Sequence, residues 1–434
     1  MSPRKIGRRA ACRYLLSAAA GGALALSGCG GKTPMGGGYA PDGRIIVNYW
    51  NGFTGPDGHT MQAMVRQFQV ENRDVVVQEQ IIPWGTYYDK LTLSLAYGGA
   101  PDVFIMQVFR LPEYASFGAV RPLTDLVAQS GLKAGDFAAS AWSRAFYQGT
   151  QYGLPLDIFL VGLYYNTRLF EEAGIVDADG KAKPPTTWAE FLEAARKLTK
   201  APHGDQPKQW GFAIQDNHIN WCTFAAQYGG AALAADGQHG AMSSPANVAA
   251  LWQMWDLIYK YKVAPKPEGV DAWLAFRQGR VAMEMAGLFM LHSLQDQAGF
   301  PFAGAPVPQF GPHRAAWAGT NVLCQPRGLS PDHARAAWRL MRFLSDHSLT
   351  WASAGMAPAR ANLVNTPAFQ ALTVQAQFAR QIPYICYEPA TPQYTGLTAF
   401  TDPAIEAVLL DLQTPEDATG EADRRINQLL NRTG

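Results

Sequence analysis

Between Ile45 and Met106 the chain alternates strand-like and helix-like stretches, and that alternation constrains its fold more than any other feature. Ile45-Ile46-Val47-Asn48-Tyr49-Trp50 is a short apolar run that reads as a buried strand. Met61, Met64, Val65 and Phe68 then fall at i, i+3, i+4 and i+7, one face of a helix introduced by Pro56 and Asp57. Val75-Val76-Val77 is β-branched and reads as a second strand. Leu91 and Leu95 mark another helix, stopped by Gly98-Gly99-Ala100-Pro101. Asp102-Val103-Phe104-Ile105-Met106 is a third strand. Strands separated by helices pair in parallel through right-handed crossovers, so the expectation is an α/β layer fold.

The second half keeps the style with more helix. Thr187-Trp188-Ala189-Glu190 has the form of a capping box, in which hydroxyl and carboxylate satisfy unpaired backbone donors. Phe191, Ala194, Ala195 and Leu198 follow as an apolar stripe, and Leu251, Met254, Trp255 and Ile258 form another. Ser330-Pro331 opens a third helix, with Ala334, Ala337, Trp338 and Met341 facing inward. These stripes are core signals rather than sites.

The first thirty residues read as an address. Arg4, Lys5, Arg8, Arg9 and Arg13 form a basic start without an acid, and Tyr14 to Leu26 is an apolar stretch too short to span a bilayer permanently. It closes on Leu26-Ser27-Gly28-Cys29, which resembles a bacterial lipoprotein signal whose cysteine thiol receives a diacylglyceryl group. Two or more acyl chains anchor stably where one adheres reversibly. The expectation is a signal peptide over 1–28, lipidation at Cys29, a flexible Gly-rich tether over 29–43, and an extracytoplasmic protein held to the membrane by its lipid. An ordinary secretory signal with a chance cysteine is the plainer alternative, and Arg8-Arg9 leaves Sec and Tat export both open. Gly31-Lys32-Thr33 imitates the end of a phosphate-binding loop, but Leu26 stands where its first glycine is required.

Cleavage before Cys29 would leave 406 residues, with 31 Lys and Arg against 35 Asp and Glu, a net charge of −4. That balance, with no basic cluster interleaved with aromatics, excludes nucleic acid as the expected partner. The length makes two domains the default. Charged residues make up 16%, below the usual ~25%. The supply of 12 Trp, 17 Tyr and 21 Phe therefore suits a cleft that stacks flat apolar ligand faces, although most aromatics are expected in the core. Cys222, Cys324 and Cys386 are too widely spaced for a metal pattern. Buried inert thiols are the default, with one disulfide possible in this compartment. No metal and no cofactor is expected.

A series of short motifs in fixed order resembles the extracellular solute-binding proteins of ABC importers, in the sugar-binding branch that includes the maltose-binding protein. Trp50-Asn51-Gly52 with Gly55-Pro56-Asp57-Gly58 is similar to the family's first strand and turn, and Gly99-Ala100-Pro101-Asp102-Val103 to its third strand. Tyr152-Gly153-Leu154-Pro155-Leu156-Asp157 and Leu163-Tyr164-Tyr165-Asn166 resemble the first crossing between lobes. Pro184-Pro185-Thr186-Thr187-Trp188, then Phe276-Arg277-Gln278-Gly279-Arg280-Val281-Ala282-Met283, and finally Gly355-Met356-Ala357-Pro358-Ala359-Arg360 complete the series.

The resemblance implies a two-lobed periplasmic-binding-protein fold, with parallel-rich sheets flanked by helices and three crossings at a hinged cleft. It places the N-lobe at 44–153 plus 308–356 and the C-lobe at 154–307 plus 357–434. It implies a monomer that binds a mono- or oligosaccharide between the lobes and delivers it to the transmembrane subunits of an ABC permease. Sugars present hydroxyls and flat apolar ring faces, so their sites combine aromatic platforms with carboxylates, amides and guanidinium groups.

Carried over by position, the implied contacts are Trp50, Asn51 and Phe53 on the N-lobe wall, with Met106 and Arg110 after the third strand. Met106 departs from the aromatic residue of the maltose-type site. Asp157 and Phe159 follow in the crossing. Asp216, His218 and Trp221 sit in a segment resembling one that supplies a carboxylate and an aromatic ring, His218 standing in for a tyrosine. Phe289 replaces a stacking tryptophan, Trp317, Gly319, Thr320 and Asn321 form a turn near the ligand, and Arg360 ends the last motif. Of these, Trp50, Phe53 and Phe289 are the expected stacking platforms, and Asp157 the expected acceptor for a ligand hydroxyl.

Plainer readings stand beside these. Trp188 and Trp338 lie on helical stripes and read as core, Trp221 reads either way, and His218 reads equally as a helix cap. Asp102 reads as a structural carboxylate, and Arg110 and Arg360 as surface charges. If the two arginines instead grip a phosphate bidentately, the ligand is of glycerol-phosphate type. A secreted glycosidase would need two carboxylates about 5–10 Å apart, for which Asp157 and Asp216 are the candidates. The chain carries no G-x-S-x-G elbow and no H-E-x-x-H motif. The expectation is therefore a binding protein and not an enzyme.

Overall fold

The computed structural model describes residues 36–202 and 208–433, so the leader and Cys29 lie outside the described residues. Two mixed sheets, each covered by helices, organise the chain as two α/β lobes. The first sheet uses β1 (Ile45–Asn51), β2 (Val75–Ile81) and β3 (Val103–Gln107). A small hairpin of β4 (Phe146–Tyr147) and β5 (Thr150–Gln151) precedes β6 (Leu154–Pro155). The second sheet is built on the long strand β7 (Asp157–Asn166) with β8 (Trp210–Ile214), β9 (Val281–Gly287), β10 (Phe302–Ala305) and β11 (Ala316–Gly319). β12 (Asn321–Cys324) returns to the first sheet, while β13 (Ala357–Pro358) and β14 (Ile385–Cys386) join the second. The orders are β2-β1-β3-β12-β6 and β14-β11-β7-β9-β8, with β10 and β13 also pairing with β7.

The strand–helix–strand run behaves as its pattern requires. β1 pairs in parallel with β2 and β3, and the helix Pro56–Glu71 buries Met61, Met64, Val65 and Phe68 against them. Antiparallel pairing enters where the chain recrosses, β12 against β3 and β7 against β9. A strand that arrives directly from the other sheet needs no helical crossover, so its direction is free.

The chain changes sheet at Leu156, between β6 and β7, and at Thr320, between β11 and β12. The expected changes at 153/154 and 307/308 fall short of both. The motifs mark the approach to a crossing, but inter-strand bonds decide on which side each residue sits.

The segment expected as free tether is anchored over its last residues. Gly37 N–H donates to Asp102 Oδ2 at 2.8 Å and Ile46 N–H to Gly38 O at 3.0 Å. Buried Asp102 also accepts from Asn48 N–H and pairs with His333 Nδ1, each at 2.8 Å, so its role is structural. In the capping box, Thr187 Oγ1 accepts from Glu190 N–H at 3.3 Å. The Glu190 carboxylate reaches Thr186 N–H at 2.8 Å rather than the cap residue itself. Cys222, Cys324 and Cys386 are free thiols.

Candidate functional site

Asp216 caps the helix Asn217–Tyr228, its Oδ1 accepting from Ile219 N–H at 3.0 Å. That start sets the helix phase, and His218, Trp221, Cys222 and Ala225 fall on one face at i, i+3, i+4 and i+7. The face forms one wall of a cavity of about 480 Å³. The helix stops at Gly229, whose φ of 83° is a left-handed conformation that glycine adopts without strain. The segment Ala231-Ala232-Leu233-Ala234-Ala235 then gives an apolar adjoining wall. Opposite stand Cys386, Tyr387 and Glu388, with Trp317 of β11 between the two sides. Arg144, at the end of the helix Ala139–Arg144, closes the cavity from the first lobe.

Glu388 is the hub. Its Oε1 accepts from Trp317 Nε1 at 3.1 Å, and its Oε2 accepts from the Tyr394 hydroxyl at 2.7 Å and faces His218 Nε2 at 2.9 Å. His218 Nδ1 lies 2.6 Å from Asp402 Oδ1. Burial opposes a charge on this imidazole, but Cys222 and the two carboxylates outweigh it and hold its pKa well above the usual histidine value. Burial pushes the Cys222 thiol up to about 11. The Trp221 side chain is only 2% exposed, and its indole Nε1 is enclosed without a protein partner and without a surface on the cavity. A buried donor left unpaired costs about 1–3 kcal/mol.

Contacts between the lobes frame the cavity. The rings of Phe109 and Tyr394 stack at 4.8 Å, and Thr395 Oγ1 donates to Glu113 Oε2 at 2.8 Å. Thr320 and Tyr387 share a hydroxyl bond of 2.9 Å, while Arg144 Nη1 donates to Glu388 O at 3.2 Å.

Of the residues expected at the ligand, His218, Trp221 and Trp317 line this cavity. Thr320 touches it through Tyr387, and Phe159 through Trp317, the two rings 5.6 Å apart. Gly319 belongs to the same packing, since a Cβ there would stand 2.0 Å from the Phe159 ring. Phe289 lies one ring further out, edge-on to Phe159 at 6.4 Å, and does not reach the wall.

The others are placed differently. Trp50 and Met106 pack in the core of the first lobe with Tyr87 and Phe104, and Lys90 covers the Trp50 ring. Phe53 is buried against Trp351, ring centroids 4.6 Å apart. Asn51 donates to Glu79 at 2.7 Å and accepts from Phe53 N–H. Trp50 of β1 and Met106 of β3 point to one face of the sheet, alternation turns Asn51 to the other, and Phe53 lies just beyond the end of β1.

Asp157 is fully buried and accepts from Asn321 N–H, Asn321 Nδ2 and Trp351 Nε1. Its carboxylate is held inside the crossings and does not line the cavity, and Asn321 is engaged with it. Asp216 is a helix cap, so the two acids proposed for a glycosidase do not form a catalytic pair. Arg110 lies over the Tyr88 ring at 4.4 Å and pairs with Glu113 at 3.4 Å. Arg360 lies over Phe137 and pairs with Asp346.

Sequence reasoning missed Glu388, Tyr387, Tyr394, Arg144 and Cys222. Cys222 carried a legible signal, being one turn beyond His218 on an aromatic helix face. The other four come from segments distant in sequence, and only the folded chain brings them together.

A family model described as bacterial extracellular solute-binding protein matches residues 63–375, most of the chain. A putative binding protein of Brucella abortus is 24% identical over 402 residues, spanning 89% of this chain and 93% of its own length. An ABC substrate-binding protein from Listeria monocytogenes, solved in complex with cycloalternan, superposes with a TM-score of 0.78 at 25% identity, covering 89% of this chain and 99% of that one. An ABC transporter solute-binding protein from Thermotoga lettingae, bound with α-D-tagatose, gives 0.75 at 26% identity with the same two coverages. The likeness therefore extends over both lobes and not over one motif-bearing half.

Proposed function

The chain belongs to the bacterial extracellular solute-binding proteins, and from that premise we propose that it captures a mono- or small oligosaccharide between its lobes for an ABC permease. Members of this family bind their solute and do not turn it over. The observation that carries the sugar reading is a cavity lined by Trp221, Trp317 and Tyr387 together with Glu388. Aromatic side chains and a carboxylate acceptor match a ring with hydroxyls on its edge. A volume near 480 Å³ suits a ligand of one to a few rings. The arginines that would favour a phosphate, Arg110 and Arg360, already hold Glu113 and Asp346, and the arginine at the cavity is Arg144.

Calorimetric titration with a carbohydrate panel and with glycerol 3-phosphate tests the reading. At least one neutral sugar should bind. Trp221→Ala should cost about 2 kcal/mol or more. Binding of glycerol 3-phosphate with no response to any sugar would replace the sugar reading with the phosphate one.

The same proposal makes the mature protein a lipid-anchored monomer outside the cytoplasm, acylated at Cys29. No helix among the described residues is long and apolar enough to cross a membrane. Cys29→Ala should move the protein from the membrane fraction to the soluble fraction, or block its processing. A wild-type mature chain that is soluble with an unmodified N-terminus would rule the anchor out.

A further inference from the structure

We propose that the cavity wall is also a binding site for a transition-metal dication of zinc type, held by His218 Nε2, Cys222 Sγ and Glu388 Oε2. The three donor atoms lie within 4.8 Å of one another. His218 and Cys222 present theirs from consecutive turns of one helix face, and Glu388 approaches from the far side of the cavity. Zinc bonds of ordinary length at a tetrahedral angle separate nitrogen from sulfur by about 3.5 Å and nitrogen from oxygen by about 3.4 Å. The corresponding distances are 3.6 Å and 2.9 Å. The third separation, Cys222 Sγ to the Glu388 oxygen, lies within 4.8 Å, where a tetrahedral zinc needs about 3.6 Å, so seating the ion requires the side chains to shift around it.

The surroundings are those a metal site needs. Asp402 Oδ1, 2.6 Å from His218 Nδ1, holds that nitrogen as the protonated one and leaves Nε2, facing the thiol and Glu388, as the nitrogen that binds the ion once its proton is displaced. Trp317 and Tyr394 fix the Glu388 carboxylate by hydrogen bonds of 3.1 and 2.7 Å. A mixed nitrogen, sulfur and oxygen set suits zinc rather than magnesium or calcium, which take oxygen alone. The fourth position opens into the cavity, where a water or a ligand hydroxyl would complete the tetrahedron. A bound dication takes the place of the proton on the thiol and of any proton on Nε2, which pass to solvent. An imidazolium held between Asp402 and Glu388, with the Cys222 sulfur 3.6 Å from its Nε2, is the arrangement without a metal.

The site is tested without sugar, so its failure is separate from failure of the sugar reading, which is measured in the presence of a chelator. Untagged, chelator-treated protein is titrated with zinc chloride by calorimetry and with cobalt(II) by absorption. The expected result is one zinc per chain and a cobalt–thiolate charge-transfer band. Cys222→Ser should lose that band and weaken zinc by at least about 100-fold, with unchanged circular dichroism. Asp402→Asn, which leaves all three ligands in place, should weaken zinc by about 10- to 100-fold. Absence of stoichiometric zinc in the wild type would overturn the proposal in favour of the imidazolium pair. A folded Cys222→Ser chain that binds zinc as tightly as wild type would overturn it too.

Discussion

Asp157→Ala should destabilise the protein by about 4 kcal/mol while leaving the ligand affinity of the folded fraction close to wild type. The carboxylate sits at the start of β7 and accepts from Asn321 N–H and Nδ2 and from Trp351 Nε1. Asn321 opens β12, and Trp351 lies on the helix Ser348–Ala352 just before β13. One buried side chain thus ties together the three places where the chain passes between the sheets. Alanine strands these donors without solvent, at about 1–3 kcal/mol each, and leaves a cavity besides.

Asp157→Asn keeps one acceptor and should cost less. Burial raises this carboxyl from 3.8 to about 6, with hydrogen bonds from Asn321 and Trp351 working in the opposite direction. The native pKa lies above the unfolded one, so the unfolded chain releases its proton first as pH rises. The stability this group contributes is full below about pH 4 and falls through pH 6, by about 3 kcal/mol in all. The asparagine variant should lack that component. Urea unfolding of both variants from pH 4 to 7.5, alongside calorimetric binding, measures it. An Asp157→Ala protein with wild-type stability and no ligand binding would return Asp157 to the ligand.

Glu388→Gln should weaken ligand binding by about 2 kcal/mol or more, roughly thirtyfold. The side chain is 6% exposed and serves three partners at once: the Trp317 indole, the Tyr394 hydroxyl and the His218 imidazole. Glutamine offers one acceptor oxygen and one amide donor. Whichever way the amide turns, it meets either the Trp317 N–H or the Tyr394 and His218 pair, and one arrangement on the wall must give way. Truncating a buried, hydrogen-bonded charge typically costs 2–5 kcal/mol, largely because its partners are left unpaired. Calorimetry in chelator-containing buffer with the tightest sugar of the panel is the measurement. A dissociation constant within twofold of wild type would remove Glu388 from the binding site.

The two predictions separate what was legible in the residues from what was not. The strand and helix runs of the first lobe could be read directly, because a 3.6-residue period such as Met61, Met64, Val65 and Phe68 is a local property. The family could be read from six short motifs in order, because strand ends and turns impose local residue types. His218, Trp221 and Trp317 were legible only through the family resemblance, which carried them over by position. Trp50, Phe53 and Met106 were misplaced for a related reason. Their positions at strand ends are local, but whether a ring turns into the cleft or into the core depends on the helix packed against it.

Asp157 could not be distinguished from a ligand-binding acid, because its three donors come from 164 and 194 residues away. Glu388 has no local pattern at all, since His218, 170 residues earlier, and Trp317, 71 residues earlier, define its role. By itself the sequence determined the periodic elements, the α/β class, the leader-like start and the membership of a binding-protein family, all of which rest on neighbours in the chain. Only the tertiary structure decided where the crossings lie, which carboxylate braces them and which one faces the cavity. A buried charge is defined by the donors that replace its water, and in this protein those donors lie on segments far away along the chain.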